Sequence, residues 1–372
     1  MRILVVGAGI IGTALADRLT RPGSQDEVTV VEEQGPGAGT SGTSYAWFNA
    51  NDPADPAYHR LRTAAMSTWR EVAAEFGDPS WYRPSGNTTW ADTDEDQARL
   101  AGRVARLTDL GYAAELIGTG RLHELEPHVR PPQGALVAHY PDEGYVHGGP
   151  AARALARRAR ESGADIVTGH RAVRLTTRGD RVTGVRLDDG RNLDADLTIC
   201  AAGRHSPALL ATTGVTLPLI DPSALGSAAP CLVATTTAAP GVLRGLVHAP
   251  GLSARPAEDE GLVLEAADLD AGVDEHPSST LMRAVGTELL ARARALIPGL
   301  TADVAEVRRC VRPLPTDGYP LIGYQRPGLY TVVTHSGITL APHLAALITQ
   351  EIHGTPSPPL AHYHPNRRAP RP

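Results

Sequence analysis

Residues 3–33 read ILVVGAGIIGTALADRLTRPGSQDEVTVVEE. Ile3 to Val6 is a short apolar run of the kind that forms a buried parallel strand. Gly7-Ala8-Gly9-Ile10-Ile11-Gly12 follows at once, Thr13 to Leu19 reads as a helix stopping near Pro22-Gly23, and Val28 to Val31 is a second apolar run closed by Glu32. This is G-x-G-x-x-G in a strand–turn–helix–strand setting. Gly7 permits a tight turn, Gly9 lets the backbone approach a pyrophosphate, and Gly12 lets helix and strand pack closely. The helix start around Ile10 and Ile11 offers free N–H groups and a partial positive charge to phosphates. Glu32 lies twenty residues beyond Gly12, where a carboxylate accepts ribose hydroxyls, and Glu33 stands where an arginine would favour a 2′-phosphate. The pattern predicts a dinucleotide site. The plainer alternative is an ordinary strand–helix turn with chance glycines.

Four later segments bear on which dinucleotide. Gly37 to Ser44 is a small-residue loop directly after the acid, leading into Tyr45-Ala46-Trp47-Phe48-Asn49. Such a loop can run along a long cofactor, and the aromatics that follow argue against a flexible linker. Arg153 to Arg160 looks helical and leads to short strands around Ile166, Val173 to Leu175 and Arg181 to Leu187, with Val173 placed to cover an adenine. Ala195 to Gly203 is a strand ending in small residues, Ala201-Ala202-Gly203, which lets backbone approach a second stretch of cofactor. Gly328 to Val333 is a strand, and Thr334 to Pro342 turns into a helix running to about Ile352. Its N-terminus would stabilise the negative charge of a reduced flavin.

The rest of the composition narrows the chemistry. The 372 residues, 42% of them hydrophobic, suffice for two domains. The net charge of -6 and the interspersed signs argue against nucleic acid. All 35 basic residues are arginine, which excludes a Schiff-base lysine, pyridoxal phosphate and a Walker A loop. Cys200, Cys231 and Cys310 are far apart in sequence, so neither a disulfide framework nor a metal site is expected. Met1-Arg2 runs straight into the first strand, and no run of about 18 apolar residues occurs. A cytoplasmic protein without a membrane partner is therefore expected, and the Arg367–Arg371 tail is expected to fray.

Several strings together resemble the D-amino-acid oxidase, glycine oxidase and sarcosine oxidase superfamily of FAD-dependent oxidoreductases. They are the glycine fingerprint, G-T-S-G-T-S at 39–44, D-E-G-Y-V-H at 142–147 and A-A-G-R at 201–204. V-R-P-L-P-T-D-G-Y-P-L-I-G at 311–323 and T-H-S-G-I-T-L-A-P at 334–342 complete the set. The resemblance implies an α/β architecture: a Rossmann-like FAD-binding domain of the glutathione-reductase-like, DAO type, with a second α+β substrate domain carrying a mixed or antiparallel sheet. Residues 1–82, 143–212 and 306–372 would form the FAD-binding domain, and 83–142 and 213–305 the substrate domain. The implied reaction is hydride transfer from the amine-bearing carbon of a small amine or amino acid to flavin N5, giving an imine that hydrolyses. Oxygen would reoxidise the flavin and yield hydrogen peroxide. Some relatives use a lysine beside N5 for that step, so an external acceptor is the alternative. An NAD-dependent dehydrogenase is a further alternative, but it leaves the late A-A-G and T-H-S-G segments without a use.

The resemblance also implies residue roles. FAD contacts would come from Gly7, Gly9, Ile10, Ile11, Gly12, Glu32, Glu33, Gly39, Thr40, Ser41, Thr43, Ser44, Ala46, Val173, Ala201, Ala202, Gly203, Arg312, Ser336, Gly337, Ile338, Thr339 and Leu340. Arg312 is the leading catalytic and substrate residue, since a guanidinium grips a carboxylate in two-pronged fashion. The opposing reading pairs it with Asp317, and Arg308 or Arg309 are rival clamps. His335 is a second catalytic candidate, as a polar or cationic group at the flavin edge or simply a helix cap. Ser336 and Thr339 would cap the last helix and donate to the flavin pyrimidine. Trp47, Tyr145 and His147 are candidate substrate contacts, although an acid or turn residue more often fills the His147 position in relatives. FAD would be bound without a covalent bond. A tether through Cys310, seven residues before Asp317, is the alternative to a buried free thiol.

Overall fold

The computed structural model describes residues 1–224, 226–274 and 276–367. The apolar run of residues 3–6 occupies the middle of a six-stranded sheet. Its order is Leu321–Arg326, Leu329–Val333, Leu197–Cys200, Arg2–Val6, Glu27–Glu32 and Asp165–Thr168. All neighbours run parallel except the antiparallel hairpin of Leu321–Arg326 with Leu329–Val333. Burial on both faces explains why these strands read as continuous apolar runs.

One face is covered by helices. Ile10–Leu19 lies against both Gly148–Glu161 and Gly337–Ile352, and Pro56–Glu75 packs on the last of these. Pro56–Glu75 starts where Asp55 accepts from the N–H groups of Ala57 and Tyr58, with Pro56 in the first turn. Its fully buried Trp69 donates to Ile338 O at 2.7 Å and so anchors the last helix at its first turn. Arg158 clamps Asp17 through two nitrogens and also reaches Glu75, while Arg21 pairs with Glu75 at 2.6 Å, so one ion-pair network ties three of the helices together. The other face is covered by the three-stranded meander Ala172–Arg178, Arg181–Leu187 and Asn192–Asp194.

A second sheet has eight strands in the order Val304–Val311, Pro230–Thr236, Leu262–Glu265, Leu252–Pro256, Leu246–Ala249, Asn87–Ala91, Leu136–Tyr140 and Glu115–Ile117. It is mixed by virtue of one parallel pair, Leu246–Ala249 with Asn87–Ala91. Helix Ser279–Leu296 covers one face with an apolar core. The opposite face, turned toward the first sheet's ligand edge, carries Cys231, Val233, Val263 and Cys310 against Tyr45 and Tyr145. Residues 306–311, assigned from sequence to the first unit, belong here. They hydrogen-bond to Pro230–Thr236, and Val304 and Val307 of the same strand pack at helix Ser279–Leu296. A small sheet of Trp47–Phe48, Gly144–Val146 and Tyr82–Arg83 joins the two units. No described helix is long and apolar enough to cross a membrane. Arg367 is held by Asp317 at 2.6 Å and does not fray, while residues 368–371 lie outside the described residues.

Candidate active site

The cleft between the sheets is built first by glycines that leave no room for side chains. Gly7 has φ +101°, and a Cβ there would lie 2.6 Å from Ala201 O. A Cβ on Gly12 would lie 1.9 Å from Gly7 O. The strand end Ala201-Ala202-Gly203 therefore abuts the glycine turn, and Gly203 itself borders open space. Glu32 leans over the turn and accepts from Ala8 N–H at 2.8 Å and from Gln34 N–H at 3.0 Å. Glu33 is an exposed neighbour of Arg171, and Val173 is exposed on its strand.

The small-residue loop after the acid is not extended. Thr40–Thr43 makes a single helical turn beside the first helix, and Ser41 Oγ accepts from Ile10 N–H at 2.9 Å. Thr40 Oγ1 donates to Val311 O at 2.7 Å, which ties this turn to the second sheet. Gly39 borders open space, Ser44 Oγ is buried without a partner, and Ala46 holds φ 62°.

The last helix closes the cleft. Its N-cap residue Ser336 makes no side-chain cap, contrary to expectation, because its hydroxyl accepts from Tyr58 OH at 2.8 Å. Thr339 Oγ1 likewise accepts from Asn49 N–H at 3.4 Å. The first-turn N–H groups of Gly337, Ile338 and Thr339 are left without hydrogen bonds among the described residues, as are those of Ile11 and Gly12 in the first helix. Leu340 is buried behind them. Two long helices with uncapped starts, and a glycine turn that excludes Cβ atoms, fit a long anionic dinucleotide such as FAD.

On the second sheet's inner face the structure brings Arg312 and His335 together. Arg312 Nη2 donates to Ala228 O at 2.6 Å and lies 3.5 Å from Asp270 Oδ2, while its Nε is buried without a partner. The expected alternative, Asp317, is occupied by Arg367, and Arg308 is occupied by Glu306 at 2.6 Å. Solvent reaches the His335 ring, yet protein atoms crowd it. That burial, with the charges of Arg312 and Arg62, pushes its imidazole down to about 4. His335 is therefore a neutral group, not a cationic one.

Trp47, Tyr145 and His147 lie farther along the same face. Trp47 sits 4.2 Å from the His248 ring and donates to Glu143 Oε2 at 2.9 Å. Tyr145 packs edge-on to His147, and burial with Arg255 and Arg83 pushes His147 down to about 3. A cavity of about 360 Å³ opens beside Tyr145, His147 and Arg83.

Four charged residues around these side chains went unread in the sequence, and none of them lines that cavity. Glu143 is fully buried and accepts from Tyr112, Asn87, Trp47 and Asn51, and burial pushes it up to about 7 against those donors. Arg255 is buried over Tyr145 and Tyr45. The Glu265 side chain stands on the same face with no hydrogen bond among the described residues and is pushed by burial to about 7, opposed by Arg312. Asp270 is pushed to about 6. Arg255 and Glu265 each occupy an inward position on a short strand, and that alternation was the only sequence signal they offered. Cys310 is buried directly opposite Cys231 in the strand pair, and both thiols are free.

The family model described as FAD dependent oxidoreductase (DAO) matches residues 2–351. D-amino acid dehydrogenase of Methylobacterium nodulans is 27% identical over 421 residues, covering 97% of this chain and 97% of that protein. The mitochondrial pyruvate dehydrogenase phosphatase regulatory subunit of Mus musculus is 26% identical over 192 residues; the match covers 51% of this chain and 21% of that protein's length. Among solved structures, glycine oxidase from Bacillus cereus superposes with a TM-score of 0.84 at 20% identity, covering 100% of this chain and 99% of the other, which shows a shared fold.

Proposed function

The chain belongs to the FAD-dependent oxidoreductase (DAO) family, and from that premise we propose that it oxidises the C–N bond of a small carboxylated amine. When bound, FAD supplies the two-electron acceptor, taking a hydride at N5 as the amine becomes an imine that water then hydrolyses. The glycine turn and the helix starts of the first sheet would hold the dinucleotide, and the inner face of the second sheet would supply the substrate contacts. The observation that carries the reading is Arg312, a guanidinium at the chamber wall whose Nε is buried without a partner. A carboxylate gripped there orients the amine-bearing carbon, and orientation is the protein's main contribution to such chemistry. The Ala228 carbonyl and Asp270 both hold Nη2 and so fix the guanidinium in place. His335, held neutral, adds a polar edge without competing for the anion. FAD would be held without a covalent bond, leaving the buried Cys310 a thiol.

Oxygen is the favoured acceptor. The absence of lysine from the sequence favours a second reading, in which another acceptor takes the electrons. The test is the purified, FAD-loaded protein under anaerobic conditions. Carboxylated amines should bleach the flavin spectrum, and amines lacking the carboxylate should not. Admitting air separates the two acceptors, since an oxidase regains its colour within turnover time and releases peroxide. Acid precipitation should leave the yellow colour in the supernatant; colour in the pellet would assign a tether to Cys310.

A further inference from the structure

Arg255 is a buried charge that the reading above leaves unused. It is 4% exposed. Its Nε donates to Tyr45 O and its Nη1 to Pro256 O at 2.8 Å, while Nη2 has no hydrogen bond among the described residues. The guanidinium lies 4.9 Å from the Tyr145 ring centre and 5.6 Å from that of Tyr45. It forms no ion pair with any described carboxylate, and the acid acting on it from nearby is Glu265. The neighbouring His147 and His248 are held neutral by burial, and Arg83 adds a further positive charge. A guanidinium kept from water with no described carboxylate within ion-pair distance is costly, and an anionic ligand lowers that cost.

Its place on the sheet gives the ligand a shape. Arg255 lies opposite Val263 in register, so it shares a face with Val263 and, by alternation, with Glu265. That face also carries Cys231 and Cys310, two residues before Arg312. In strand order, Leu252–Pro256 bears Arg255, Leu262–Glu265 bears Glu265, Pro230–Thr236 intervenes, and Val304–Val311 leads into Arg312. The two arginines arise from strands about 14 Å apart at the usual spacing, and are offset by about a further 20 Å along them, since Arg255 aligns through Val263 and Thr235 with Glu306 while Arg312 aligns with Ala229, so the two side chains must lean toward each other to share one ligand. The acid between them feels the charge of both. Positive, negative, positive across the chamber is the complement of carboxylate, ammonium, carboxylate.

Resting on the C–N oxidation reading, we propose that the substrate is an amino dicarboxylate, with one carboxylate on Arg312, the other on Arg255 and the amine over Glu265. Arg255 is then a specificity residue for the second anion.

The test compares ligands that differ only in that anion. N-(carboxymethyl)glycine is set against N-methylglycine, and glutarate against butyrate, each titrated into the FAD-loaded protein and followed by the flavin absorbance shift. The dicarboxylate of each pair should bind at least about tenfold tighter, and Arg255→Met and Arg255→Lys should erase most of that advantage. The wild-type comparison stands even if the variants fold poorly. Equal affinity within both pairs overturns the proposal, whether or not either amine bleaches the flavin. If the dicarboxylates bind tighter but no amine bleaches it, C–N oxidation falls and the two-anion chamber stands.

Discussion

The glycine turn and the chamber face the same cleft from opposite sides and are built on opposite terms. The turn succeeds by having nothing there: Gly7 and Gly12 bring backbone against backbone, and the polar groups left over are N–H donors awaiting phosphate. The chamber instead crowds Arg312, Arg255, Glu265, Asp270 and Glu143 into partial or full burial. The turn should therefore fail sterically and all at once, whereas the chamber should fail electrostatically and by degrees. The difference also separates binding of a long constant cofactor from choice of a short variable substrate.

The largest effect should come at Gly12. A Cβ there meets Gly7 O at 1.9 Å, so Gly12→Val should yield protein without bound flavin, read as lost absorbance near 450 nm. Gly9→Ala, whose Cβ would meet only Ser41 Oγ at 3.2 Å, should keep part of its flavin. Equal flavin content in both variants would break the steric half of the contrast.

Glu143 tests the electrostatic half. Glu143→Leu strands four buried donors and should cost about 3–5 kcal/mol of stability, measured by denaturant unfolding. Because burial raises the folded-state carboxyl to about 7 from 4.5, the folded protein holds the extra proton between those values. Its contribution to stability should then decline as pH rises through that window and stay level above it, and Glu143→Gln should remove this slope.

Arg312→Lys should raise KM for a carboxylated amine by about 10²-fold with a smaller change in kcat, since a point charge replaces a two-pronged grip. An unchanged KM would move the carboxylate entirely to Arg255.

The smallest expected effect is at Glu265. Burial places its carboxyl at about 7, with Arg312 and Arg255 lowering it and Asp270 raising it. Affinity for a protonated amine should rise by less than about tenfold between pH 6 and 8 as the group ionises, and Glu265→Gln should flatten that rise.

The cofactor side was legible because its groups lie close together in the chain. Gly7, Gly12 and Glu32 fall within one strand–helix–strand unit, and their spacing is set by the geometry of that unit. Arg312 and His335 could be named from strings that recur in relatives. Arg255 could not: S-A-R-P carries no motif, and its neighbours Tyr45, Tyr145 and Glu265 come from three distant segments. Ser336 was misread as a side-chain cap because Tyr58, 278 residues away in sequence, takes its hydroxyl. Residues 306–311 of the edge strand were assigned to the wrong unit because strand membership depends on pairing with Pro230–Thr236.

By itself, then, the sequence determined the dinucleotide fold, the absence of lysine chemistry and the order of the cofactor segments, since local spacing and composition suffice for those. Which charges face one another across the chamber, and which are already neutralised, was decided only in three dimensions. Electrostatic partners are chosen by distance through space, and strand order in the second sheet bears little relation to order along the chain.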